Sequence, residues 1–391
     1  MAKHQDNSWN LRAIQWFPVV FIPVCFLTSR IVLTIIGVVS HGLLQGYSGR
    51  DFPWQYSKHV WLSIWAIWDS GWYLDIAKNG YALSVLSDLP KALDPHQINF
   101  GFFPLYPLLI GGMGKLIGGH VLVCGIVVSN ICVLLAAWFL YKLVLLDRDS
   151  ATARRAVFFL FAFPTSFVLS GVFAESLFLL LSILVFYGIK KEKFVFAFVS
   201  GIFLGLSRPT AVFALPAVCL AYAACKHYDI KKMSISFLCC AGIPIGYGLF
   251  AFFAYSVTGD WSFYTHVKQA GWGSVWSNPL LLLAHCVLSK NTGTLINGIG
   301  VALGCLLLMA VWKRIGTVHL ILGLSLLVLP LTAGAMVIPG MLRYMAAIFP
   351  LFIAYAAIKP GAFAGKAIII ASCILQGILM VIWTNGFSII I

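Results

Sequence analysis

The stretch WAIWDSGWYLDIAKNGY, residues 65–81, sets Asp69 and Asp75 among aromatic rings in a chain that holds 12 Asp and Glu against 26 Lys and Arg. A carboxylate within hydrogen-bond reach of a hydroxyl can take its proton, and so act as a general base. Asp69 suits that task, because Asp69-Ser70-Gly71 interrupts an apolar stripe with residues that favour a turn and can aim the carboxylate into a recess. Asp75 lies two turns further along, where Lys78 is near enough to neutralise it. Elsewhere Glu175, Arg208 and Arg343 stand in or beside apolar runs. Ionisable residues at such positions are costly and are functional candidates. Arg208 and Arg343 carry planar forks that suit a phosphate group, and His266 and Lys268 add two further cations. The structural alternative is a Glu175–Arg208 ion pair. For Arg30 it is snorkelling or a helix-to-helix contact.

Membrane-spanning helices must position these residues. The chain is 61% hydrophobic and 10% charged, with mean hydropathy +0.95, against roughly 25% charged residues in a soluble domain. Apolar runs fill most of the length from Phe17 onward, each near the ~20 residues that cross a bilayer as a helix. The first, preceded by Lys3 and Arg12, is too long for a signal-peptide core and reads as an uncleaved span. The net charge of +14 gathers in short loops: Arg148/Arg154/Arg155, Lys190/Lys191/Lys193, Lys226/Lys231/Lys232, Lys313/Arg314 and Lys359/Lys366. Such loops are cytoplasmic under the positive-inside rule, and no nucleic-acid partner is expected. The cysteines lie mostly in apolar spans, with Cys286 the loop exception. Their spacing matches no zinc site, so they read as packing residues.

Parity then predicts about eleven spans in a single all-α, polytopic domain over residues 1–391. Span 1 lies within residues 17–44 and span 2 within 120–142. Short hairpins follow at 156–189 and 194–225, then span 7 at 235–257 and four more spans. Residues 45–119 and 258–293 are external loops, the first carrying interfacial helices. A half-hairpin of about 16 residues covers ~24 Å of a ~30 Å core, so the outer turns should be sunk, leaving an external recess. Residues 102–119, FFPLYPLLIGGMGKLIGG, are apolar but broken by proline and glycine, and read as interfacial or re-entrant. Trp61, Ile64, Trp65, Trp68 and Trp72 recur at spacings of three and four, which predicts one helix in the interface plane. With Trp54, Trp261, Trp272 and Trp276 they suit a headgroup-level belt or a floor for sugar rings.

WDSGWYLDIAKNGY, FFPLYPLL, FPTSFVLSGVFAESLFLL, GLSRPTAV and MLRYMAAIFPLF, in that order, resemble the motifs of the PIG-V family. That family includes the second mannosyltransferase of GPI-anchor assembly and belongs to the GT-C superfamily of membrane glycosyltransferases. The resemblance spans roughly residues 60–355. It implies a GT-C-like architecture and a hexosyltransferase, in the first place a mannosyltransferase. The enzyme would take its sugar from a polyprenyl-phosphate donor on the outer or lumenal face and pass it to a lipid or glycolipid acceptor. Asp69 falls at the family's acidic position, and Glu175, Arg208 and Arg343 at charged motif positions. Trp68, Tyr73, Tyr106 and Tyr344 lie in the same motifs and are expected to contact substrate, as are His266 and Lys268 in the second external loop.

In that reading an acceptor hydroxyl attacks the anomeric carbon with Asp69 as base, and the cations stabilise the leaving phosphate. One base without a nucleophile inverts the anomeric centre. A divalent cation, magnesium or manganese, is compatible with the reaction beside Asp69 but not required by it. The chain has no N-x-[ST] sequon and no ER-retrieval tail, which favours a bacterial cytoplasmic membrane over the ER, and an acceptor other than a GPI lipid. The rival reading is a multi-span transporter or lipid flippase. Transporters place their charges near the midplane and often show inverted repeats. Here the charges gather at one face and no repeat is visible.

Overall fold

The computed structural model describes residues 8–44, 55–83, 97–232, 235–358 and 362–389. Lys3, Trp54 and Lys359, each part of an expectation above, lie outside the described residues. The chain opens with α1 (Ser8–Leu44), the single turn α2 (Val60–Ser63) and α3 (Ser70–Asn79). Next come α4 (Leu105–Leu116) and α5 (Val121–Leu145). A first hairpin pairs α6 (Ser150–Ala162) with α7 (Glu175–Lys190), and a second pairs α8 (Phe194–Ser207) with α9 (Leu215–Cys225). Then follow α10 (Gly242–Thr258), the loop helices α11 (Phe263–Trp272) and α12 (Pro279–Val287), and α13 (Thr292–Ala310). The last elements are the turn α14 (Trp312–Ile315), α15 (Thr317–Val328), α16 (Met341–Met345), α17 (Phe349–Ala357) and α18 (Ala362–Thr384).

Among the described residues every regular element is helical, and the chain is an all-α multi-pass membrane protein. Among the described residues five helical stretches are long and apolar enough to cross a bilayer, or six if the pair Ala335–Met345 and Phe349–Ala357, bent by 53°, is one span. By length and composition this is fewer than the roughly eleven crossings predicted from charge parity. The difference lies in broken segments such as the hairpins. Helices α6, α7 and α8 have 13, 16 and 14 residues, or about 20, 24 and 21 Å against a core of about 30 Å. Prolines 164 and 209 set where the helices stop. The residue before a proline is pushed to extended backbone, and Phe163 (ψ 136°) and Arg208 (φ −158°, ψ 149°) adopt it.

The backbone freed at the first hairpin's turn is satisfied by polar side chains from the chain's two ends. Arg30 of α1 donates Nη2–H to Ser166 O at 2.9 Å, and Gln376 of α18 donates to Phe161 O and Phe163 O, each at 2.9 Å. Irregular backbone at membrane depth persists only where such partners exist. This resolves Arg30 as a helix-to-helix contact. Helix α8 is held against α10 by facing glycines. A Cβ at Gly205 would stand 2.3 Å from Ile243 O, and one at Gly246 would stand 2.0 Å from Ile202 O.

Two local expectations need comment. The single interfacial helix predicted across Trp61 to Trp72 does not form. Only Val60–Ser63 is helical before the chain turns, and α3 begins at Ser70. The aromatic stripe is split because Ile64, Trp65 and Trp72 are buried while Trp61 stays exposed. Residues 102–119 contain only the 12-residue α4, about 18 Å long and too short to cross. The stretch ends at Gly118 and Gly119, both with positive φ, a conformation that glycine adopts without steric cost.

Candidate functional site

The turn of the second short hairpin helps to line a cavity of about 310 Å³. Its wall draws on distant parts of the chain: Asp69 and Tyr73, Phe102, Arg208 with the turn after it, Tyr264 and Lys268 of α11, and Arg343 with Tyr344 of α16. Asp69 occupies the N-cap position of α3, yet its side chain accepts no capping hydrogen bond, the usual role of Asp there. Instead its Oδ2 accepts from Arg343 Nη2 at 2.9 Å. The turn that directs it there is strained. Trp68 sits at φ +55°, a region that bulky residues rarely enter and that persists where the surroundings enforce it. One such restraint is visible next to it: Val172 N–H donates to Trp65 O at 2.8 Å, tying this loop to the first hairpin's turn three residues before Glu175.

Glu175 is the first residue of α7 and 1% exposed; an acid in the first helical turn is favoured by the N-terminal partial charge. Its Oε1 lies 2.9 Å from Arg208 Nη1 and 3.0 Å from Arg343 Nε. Asp69, Arg343, Glu175 and Arg208 therefore form one continuous chain of ion pairs. Aromatic faces hold both guanidinium groups: Arg208 lies 4.5 Å from the Tyr344 ring centre, and Arg343 lies 4.9 Å from that of Phe173. The Glu175–Arg208 pair anticipated as the structural alternative is thus present, and it is joined to Asp69 through Arg343. Removing one partner from a buried ion pair costs about 3–5 kcal/mol.

The fourth member of the cavity's charged set is Lys268, whose Nζ lies 3.9 Å from the Trp272 ring centre and 4.8 Å from that of Phe102. Burial pulls its ammonium down to about 8. Tyr73 also lines the cavity, and burial pushes its hydroxyl up, so it stays protonated as a donor.

Several expected residues lie elsewhere. His266 is exposed on the far side of α11 and pairs with Asp260, Nδ1 to Oδ2 at 2.6 Å. Tyr106 is wholly buried against α5, its hydroxyl bonded to Gly125 O and Ser129 Oγ at 3.0 and 2.8 Å; it braces α4 and does not reach the cavity. Trp68 is half-buried and outside the cavity lining, so its contribution is the turn it makes. Asp75 does not pair with Lys78. Its Oδ1 accepts from Asn79 Nδ2 and its Oδ2 from Asn99 Nδ2, both at 2.9 Å. Asn99 in turn bonds Gly80 O and Ala82 N–H at 3.0 Å, which fixes the segment carrying Phe102. Asn99 went unread because an isolated Asn in an external loop resembles any turn residue. Trp272, expected in the belt or as a floor for sugar rings, lies under the Lys268 ammonium. Among the described residues no cluster of three or more His, Cys, Asp or Glu is placed to hold a metal ion, and both site carboxylates are engaged by arginine.

No protein-family model matches the chain. No curated protein matches it either. Among solved structures it is similar to an Archaeoglobus fulgidus oligosaccharyltransferase tethered with an acceptor peptide, at 12% identity and TM-score 0.46, over 95% of this chain and 56% of that one. It is likewise similar to the Archaeoglobus fulgidus oligosaccharyltransferase AglB in complex with an inhibitory peptide and a dolichol-phosphate, at 12% identity and TM-score 0.44, over 96% of this chain and 56% of that one. The chain thus spans just over half the length of these structures.

Proposed function

We infer that the protein is a membrane glycosyltransferase of GT-C-like architecture, transferring a hexose from a polyprenyl-phosphate donor to a lipid or glycolipid acceptor at its external face. The observation that carries this reading is Asp69: a carboxylate lining the cavity, with Oδ2 held by Arg343 and, among the described residues, no partner on Oδ1. A base must be aimed, and Arg343 holds this one in position. The acceptor hydroxyl oxygen forms its bond to the anomeric carbon, the bond from that carbon to the phosphate oxygen breaks, and the hydroxyl proton passes to Asp69 Oδ1. The electron pair leaves with the lipid phosphate, stabilised by cations already in place. Arg208 contributes one nitrogen to Glu175 and lines the cavity with its guanidinium over the Tyr344 ring. The attack comes from the face opposite the leaving group and inverts the anomeric centre. The motif resemblance favours mannose as the sugar and a bacterial cytoplasmic membrane as the location.

The test is to incubate the purified full chain with labelled polyprenyl-phosphate hexoses and membrane lipid extract. Transfer of label to a lipid product is expected. If no product forms and the protein instead moves a lipid or solute across vesicles, the transporter reading replaces this one.

A further inference from the structure

Resting on that reading, we propose that Lys268 is the principal ligand of the donor's phosphate, and that Arg208 and Arg343 chiefly hold the base in place. The cavity brings together three cations, Arg208, Arg343 and Lys268, and one wall carboxylate, Asp69, with Glu175 beneath. Four ion-paired groups account for both carboxylates: Arg343 bridges Asp69 and Glu175, and Arg208 completes Glu175. Lys268 is left over. Among the described residues it has no ion-pair or hydrogen-bond partner, and only the faces of Trp272 and Phe102 accompany it.

A half-buried ammonium with no counter-ion leaves the recess with an excess of one positive charge, which matches a singly charged phosphodiester. The Trp272 and Phe102 rings also suit the position, because they hold the ammonium by cation–π attraction and, being neutral, leave its charge uncancelled for an anionic ligand. Helix α11, in the second external loop, places this cation in the lining of the same cavity as the base. The groups that face Lys268 are Asp69 and Tyr73 from α3, Arg208 at the end of α8, Arg343 and Tyr344 from α16, and Tyr264 on its own helix. The lowered ammonium, near 8, makes it the cation whose charge is lost first as pH rises.

The experiment uses the full chain in detergent with farnesyl phosphate as a headgroup probe and farnesol as its neutral control. Titration starts at pH 7.5, where the probe's second ionisation near ~6 is already complete. Wild type is expected to prefer the phosphate, with affinity falling as pH rises through about 8 to 9.5, whereas Lys268→Arg binds with a flat profile. Lys268→Met should lose about tenfold or more in phosphate affinity while farnesol binding and melting temperature hold. Equal phosphate binding by wild type and Lys268→Met would overturn the role of Lys268, as would the same pH profile in wild type and Lys268→Arg. Failure of wild type to distinguish farnesyl phosphate from farnesol would instead overturn the lipid-phosphate reading of the site itself.

Discussion

Two aspartates six residues apart have separate tasks, and their partners decide which. Asp75 has both oxygens bonded by the amides of Asn79 and Asn99 and lies outside the cavity lining, so its task is to brace the loop. Asp75→Asn turns one acceptor oxygen into an NH2 that faces one of the two amide donors, and the melting temperature should drop by the equivalent of about 1–3 kcal/mol, with turnover of the surviving protein near normal. Arg343 makes a different prediction. Its Nη2 and Nε reach Asp69 and Glu175 together, which a lysine's single ammonium cannot imitate. Arg343→Lys should lower kcat by about ten- to a hundredfold with donor KM changed little; a loss confined to KM would return Arg343 to phosphate binding. The sequence marked Asp69, Glu175, Arg208 and Arg343 because charge is rare in apolar runs. It could not say which acid met which arginine, since those contacts join residues as far apart as 69 and 343.

At the scale of elements, the short hairpins were readable by counting residues against bilayer thickness, and the turn of the second, residues 207–213, borders the cavity. The aromatic stripe misled because a spacing of three and four describes a helix only while the backbone stays helical, and the turn at Trp68 ends it. The glycine contact between α8 and α10 was legible but unread: GIFLG at 201–205 and GIPIG at 242–246 are paired small-xxx-small patterns of the kind that brings membrane helices close. This contact sets Arg208, which follows α8, beside Tyr247 of α10, and both line the cavity. A side chain at Gly246 would meet backbone, so Gly246→Val should cost about 1–3 kcal/mol or more through overpacking and reduce activity with it. Gly248→Ala, with no atom within 4 Å of the new Cβ, should leave thermal stability in detergent unchanged.

For the whole molecule, basic loops and the cavity lie at opposite ends of the same helices. The acids of those loops are paired locally, Asp147 with Lys190 and Glu192 with Lys226, away from the charged chain of the cavity. The orientation follows from charge bias: a cysteine at Gln269, on α11, should react with an impermeant reagent from outside, and one at Ser150 only after permeabilisation. The reverse pattern would invert the topology. Ser87, in the first external loop, lies outside the described residues, so Gln269 is the external marker. The central claim is that the cavity is a transfer site with Asp69 as its base, and it is met most directly by turnover and donor affinity measured on one preparation of Asp69→Asn. The account predicts that transfer falls by about a hundredfold or more, as for loss of a general base, while the donor is still bound and the melting temperature drops because Arg343 loses a partner. Transfer at a near-normal rate by Asp69→Asn would contradict it.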